Sequence, residues 1–305
     1  MSGEQLQFEG GGFEIPNLEQ SPEVLFKSLR SPLWSENKAK LIARYLYYFV
    51  QITHHGTYID GFAGPQAPDA PDTWSAKLVI ESRPRWLGKF FLFDIDQAKI
   101  TALQKVIDDQ PPRDVAKSEP KREFVVECGD FNEKIAAVLT SRSIPDTQAA
   151  FCLLDQRTFE CHWKTVEALA SYKQTGHKIE LYYFLAQSWL DRAFSALKNE
   201  EQATRWWGQN DWRQLDKLNS LDRARLFCDR LKGLNYRYVH PWPIYEREGG
   251  NGRIMYHMIH ATDHQEAPKL MARAYNRALD IPESPEQLKL LFDEYGIMVD
   301  PIQSA

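Results

Sequence analysis

No stretch of this 305-residue chain approaches the ~18 to 20 consecutive apolar residues that a bilayer span needs. The opening MSGEQLQFEGGGFEIPN also lacks the basic-then-apolar pattern of a secretory leader. Both absences point to a cytoplasmic protein with no membrane role. Cysteine is scarce: Cys128, Cys152, Cys161 and Cys228 show neither the C-x-x-C spacing of zinc and redox sites nor the density of a disulfide scaffold, and read as reduced thiols. An excess of positive charge is missing too. A net charge of -5 argues against a protein that coats nucleic acid non-specifically, because Lys and Arg supply most of that affinity, although a local basic surface stays open. There is no internal repeat and no low-complexity tract. The G-x-G-x-x-G spacing of dinucleotide-binding turns is also absent, which argues against a dehydrogenase.

What is present is 43% hydrophobic and 26% charged residues, the make-up of an ordinary globular chain long enough to bury a large core. Residues 1–20, Gly-rich and polar, read as a flexible arm. A short helix from Ser21, a break at Pro32 and a strong helix from Ser35 or Glu36 follow. From Thr57 onward short apolar runs alternate with helical patterns: TYIDGF, GKFFLFDID, EFVVECGD, AAFCLLD and KIELYYFLA as strands, with helices between them, one of them N-capped by Asp96. Near-continuous apolar strands separated by helices are what a parallel sheet covered on both faces requires. The expected fold is therefore α/β and doubly wound. Its core spans residues 21–188, a helical insertion covers 189–233, and residues 234–280 return to the core as an antiparallel C-terminal edge ahead of a tail at 281–305. PPRDVAKSEPKR, 111–122, reads as a surface loop.

Four predicted strands end in an acid: Asp60, Asp94, Asp130 and Asp155. In a doubly wound sheet, ligands bind at the carboxyl ends of the strands near the point where strand order reverses. The bend Asp60-Gly61-Phe62-Ala63-Gly64 allows a ligand to lie against backbone, since glycine has no Cβ. An acid about thirty residues on, Asp94, is placed to take ribose hydroxyls, and Asp130 with Phe131 to flank an adenine. Each acid also has a plainer role as a helix cap or loop anchor; for Asp155 this is capping a helix that starts near Glu160.

The run D-G-F-A-G-P resembles the first motif of class I S-adenosylmethionine-dependent methyltransferases, with Gln66 standing where those enzymes have their last glycine. The resemblance implies a Rossmann-like methyltransferase fold. It implies that Asp60, Gly61, Phe62, Ala63 and Gly64 hold the methionine moiety, Asp94 the ribose, and Asp130 and Phe131 the adenine. The order YIDGFAGP, FFLFDID, FCLLDQRTFECHW, YYFLAQSWLDR, MYHMIHATDH is further similar to the bacterial three-Cys-motif partner (TcmP) family, from about Trp34 to Leu279. That resemblance implies S-adenosyl-L-methionine as cofactor, a nucleic-acid acceptor, a mobile-element or phage-defence setting, and a radical-SAM-like three-Cys-motif partner protein. Asp155 and Phe159 are then the catalytic pair, an acid that takes hydrogen bonds from an exocyclic amine and an aromatic that stacks on the base. Here they are separated by Gln156-Arg157-Thr158 and no proline follows the acid. The alternative is a catalytically silent binding or assembly subunit on the same fold.

Other candidates have plainer readings. Cys161 as a nucleophile lacks a preceding proline. His257, His260 and His264 with Asp263 lie close in sequence, but in a strand residues three apart face opposite sides, so no metal site is expected. RWWGQNDWRQ could stack unpaired bases. Residues 195–232 carry only eight Lys or Arg against six Asp or Glu, which favours a small hydrophobic core instead.

Overall fold

The computed structural model describes residues 33–66, 70–157, 159–197, 199–247 and 251–279. The arm at 1–20, the helix expected from Ser21, and the tail at 281–305 lie outside these residues. Helix α1 (Leu33–Thr53) leads into five parallel strands, β1 (Thr57–Asp60), β2 (Lys89–Asp94), β3 (Glu123–Cys128), β4 (Ala150–Leu154) and β5 (Glu180–Leu185). Between them run α2 (Ser75–Glu81), α3 (Gln97–Asp108), α4 (Phe131–Thr140) and α5 (Trp163–Ser171). The helical segment comprises α6 (Gln187–Ser195), α7 (Glu200–Trp207), a 3-10 turn at Trp212–Lys217 and α8 (Ser220–Gly233). Strands β6 (Tyr238–Arg247) and β7 (Asn251–Thr262) then pair antiparallel, and α9 (Ala267–Ala278) closes the described chain.

The sheet order is β3-β2-β1-β4-β5-β7-β6. The chain winds outward from β1 in one direction and from β4 in the other, so the strand order reverses between β1 and β4. The expected doubly wound, Rossmann-like sheet with an antiparallel C-terminal edge is the one observed.

The apolar runs explain the layering. Alternate residues of each strand feed two separate cores. Tyr58, Phe90, Leu92, Phe151, Leu153 and Tyr182 pack with α1, α2, α3 and α9, while Ile59, Phe91, Phe93, Cys152, Leu154 and Tyr183 pack with α4 to α8. Because both faces are covered, these strands need no polar alternation.

The helix starts follow local chemistry. Asp96 caps α3 by accepting the Ala98 N–H at 2.8 Å, as the sequence predicts. The 111–122 loop is pinned: Glu119, 4% exposed, accepts Arg85 Nε at 3.0 Å and the Asp114 N–H at 2.9 Å. The Arg85 guanidinium beside it holds Glu119 down to about 2.

Candidate functional site

Because β1, β2 and β4 run parallel and nearly in register, their tips bring three acids to the place where strand order reverses. Asp60 ends β1, Asp94 ends β2, and Asp155 follows β4. All three are buried, at 1%, 6% and 7% exposure. Each is satisfied from within the protein. Asp60 accepts Tyr58 Oη at 2.8 Å and the Phe62 N–H at 3.0 Å, and burial raises its carboxyl to about 7 against those bonds. Asp94 accepts the N–H groups of Gly64 and Asp96, both at 3.0 Å, with Lys99 Nζ 3.8 Å away. Asp130 is different: it is exposed and caps α4, accepting Asn132 N–H at 2.7 Å. The plainer role foreseen for a strand-end acid is the one this residue fills.

Asp155 does not cap a helix; α5 begins at Trp163 with His162 at its cap position. Its partner is Lys38 from α1, whose Nζ donates to both carboxylate oxygens at 2.6 and 2.9 Å, while Gln66 Nε2 donates to Oδ2 at 3.3 Å. Lys38 is itself 4% exposed and lies 5.2 Å from the Phe184 ring centroid. Burial pushes the Asp155 carboxyl up, and the Lys38 ammonium opposes this. Lys38 was not singled out from sequence, though a signal was there. It sits one turn before Leu41 and Ile42 and two turns before Tyr45, on the buried stripe of α1, where a lysine requires an anion.

The residues at the bend match a nucleoside cofactor in kind but not in space. The room opened by the glycines is taken by the protein itself. A Cβ at Gly61 would stand 2.9 Å from the Phe131 ring, and one at Gly64 would stand 2.5 Å from both Asp94 Oδ2 and Lys99 Cβ. Phe131 is buried and packs against Phe62 and Phe93 at centroid distances of 5.8 and 5.6 Å. The crevice lined by Asp60, Phe62, Gly64, Gln66, Trp74 and Asp155 has a volume of about 10 Å3, room for a single water. A crevice of this size does not accommodate S-adenosylmethionine.

Phe159 is carried away from Asp155 into the helical segment. It stacks on Phe194 at 5.5 Å and meets Trp206 edge-on at 5.1 Å. Trp206, Trp207 and Trp212 are buried, and Arg230 lies 3.8 Å from the ring centroids of both Trp163 and Trp207. Arg205 and Arg213 pair with Glu201 and Glu200. The three tryptophans of RWWGQNDWRQ are thus part of the core that joins the helical segment to α5 and the sheet, not an open stacking platform. Cys161 is fully buried, and burial pushes its thiol well above the ordinary range, the opposite of an activated nucleophile. His257 and His260 are wholly buried in β7, and burial lowers His257 to about 4. Among the described residues, no group of three or more His, Cys, Asp or Glu is arranged to hold a metal ion. No described helix is long and apolar enough to cross a membrane.

No protein-family model matches the chain, and no curated protein sequence does either. Among solved structures it is similar to a Legionella pneumophila protein of the DUF519 family, with a TM-score of 0.42 and 9% identity over 84% of this chain and 96% of that one. It is also similar to the DszA carbon methyltransferase, with a TM-score of 0.38 and 14% identity over 75% of this chain and 54% of that one.

Proposed function

We propose that this chain is a methyltransferase-like protein that binds S-adenosylmethionine over the Gly61–Gly64 bend, in a form of the crevice more open than the one described. The observation that carries the reading is the convergence of Asp60, Asp94 and Asp155 where strand order reverses between β1 and β4, the place where a doubly wound sheet presents its ligand. In that form Asp60, Phe62 and Ala63 border the methionine end, Asp94 the ribose, and Asp130 with Phe131 the adenine. The bound sulfonium would supply an electrophilic methyl group; the protein's task is to align an acceptor beside Asp155. The acceptor we propose is nucleic acid, on the resemblance of the segment at Asp155. A three-Cys-motif protein as partner, and a mobile-element or phage-defence setting, belong to the same resemblance.

A second reading is favoured by a specific observation. Lys38 holds both oxygens of Asp155, and Phe159 packs into a hydrophobic core, so neither is free to receive a base. On this reading the chain is a catalytically silent binding subunit that keeps the fold.

Calorimetry with S-adenosylmethionine tests the first reading directly. The wild-type chain is expected to bind, and Asp94→Asn to bind about tenfold more weakly, since the ribose hydroxyls lose a charged acceptor. No heat at millimolar cofactor would overturn it. Given binding, transfer of labelled methyl to oligonucleotides, abolished by Asp155→Asn, supports the enzyme; binding without transfer supports the silent subunit.

A further inference from the structure

A cavity of about 310 Å3 opens at the edge of the sheet opposite the acid-tipped strands, where β4 and β5 begin, and it is far larger than the crevice at the bend. Part of its wall is apolar: Tyr45, Phe49 and Ile52 from α1, and Ala267 and Leu270 from α9. The size is at the lower end for small-molecule sites, which run from about 300 Å3 upward.

One wall carries a buried anion. Glu180, the first residue of β5, is 7% exposed. Its Oε2 accepts both the Tyr45 hydroxyl and His260 Nε2, the latter at 3.0 Å. Both of these donors fall on Oε2, and a carboxylate offers further acceptor positions on its other oxygen. His260 is also fully buried, and its Nδ1 has no partner.

The mouth supplies a donor of fixed direction. His264 Nδ1 accepts the Glu266 N–H at 3.2 Å, which places its ring proton on Nε2, and its ring meets His177 edge-on at 4.9 Å. The remaining charges are spoken for. Lys173 and Lys178 donate to the carbonyls of Gln148 and Ala170, and Asp146 accepts from Arg142 and the Gln174 N–H. Two lysines and two acids leave the cavity with no net charge, which suits a neutral ligand.

We propose that this cavity binds a neutral, planar heteroaromatic that presents adjacent ring N–H and exocyclic amine donors to Glu180, as a guanine edge does, with its ring acceptors toward His264. The apolar walls of Tyr45, Phe49 and Leu270 take the ring faces, and the carboxylate selects against a base that offers an acceptor at the same position. This site is separate from the bend and does not depend on the cofactor reading.

Titration calorimetry of the uncharged nucleosides guanosine, inosine and adenosine into the full chain tests it. Guanosine is expected to bind, and adenosine to bind at least about tenfold more weakly, because its N1 acceptor faces the carboxylate. Inosine, which keeps the ring N–H and lacks the amine, falls between them. Leu270→Trp fills the cavity from its wall without altering Glu180 and is expected to weaken guanosine binding at least tenfold, with a melting curve to verify folding. The wild-type comparison stands even if that variant fails to fold. Absence of guanosine binding at millimolar concentration, adenosine binding as tight as guanosine, or undiminished guanosine binding to folded Leu270→Trp each overturns the proposal.

Discussion

Replacing Lys38 by methionine keeps the length and apolar stem of the side chain and removes its charge. The wild-type contact, 2.6 Å between Nζ and Asp155 Oδ2, corresponds to a gross attraction of about 6 kcal/mol at an effective dielectric of about 20. Most of it is offset by the desolvation of two buried ions. The variant loses the attraction but keeps the desolvated carboxylate, so the expected deficit is about 3 kcal/mol, at the lower end for broken buried pairs because methionine packs well near Phe184. The deficit also depends on pH. Without Lys38 the folded-state pKa of Asp155, already raised by burial, rises further above its unfolded value. A group with a raised folded pKa contributes stability below its unfolded pKa and loses it as pH rises through the folded one. Lys38→Met should therefore come closest to wild type near pH 5 and fall furthest behind near pH 8. Urea denaturation followed by tryptophan fluorescence, with nine tryptophans as reporters, measures this at both pH values. The double variant Lys38→Met/Asp155→Leu should recover to within about 1 kcal/mol of wild type, since replacing a buried pair by apolar groups is often neutral. A deficit below about 1 kcal/mol that is flat between pH 5 and 8 would refute the buried-pair account.

Two further outcomes concern the bend. Asp60 has a folded-state value raised to about 7 by burial, so its contribution to stability is present near pH 4 and lost as pH rises through 7. Asp60→Asn should gain on wild type by up to about 4 kcal/mol between pH 4 and pH 8, read from paired denaturation curves, and a difference independent of pH would contradict it. Gly61→Ala forces a Cβ to 2.9 Å from the buried Phe131 ring and should cost about 1 to 3 kcal/mol. Thermal melts of Gly61→Ala with and without Phe131→Leu check this, because the smaller side chain should restore part of the loss.

The sheet was legible because its strands are bare apolar runs and its helices carry their own caps: GKFFLFDID followed by Asp96 and Gln97 has little choice but strand, turn and helix. The strand-tip acids were legible for the same reason, since a parallel sheet puts every strand end on one edge. What remained hidden were contacts between elements distant in sequence. Nothing near Asp155 announces Lys38, 117 positions away. Only its place on the apolar stripe of α1 betrays it. Phe159 misled in the opposite sense. An aromatic four residues beyond a strand-tip acid looks like part of a site, yet it joined Phe194 and Trp206, whose apolar surface a local pattern does not reveal. The glycines were read rightly as points of close approach, but sequence could not say that the approaching group is a phenylalanine of the same chain.

Helix α1 links two places that look unrelated. Asp155 after β4 and Glu180 at the start of β5 sit on opposite rims of the sheet, yet one is neutralised by Lys38 and the other bonded by Tyr45, seven residues further along that helix. Two turns amount to roughly 10 Å of stiff rod. Both contacts are made from one helix, so any change that shifts α1 along its axis has to break the hydrogen bonds of both carboxyl groups at once.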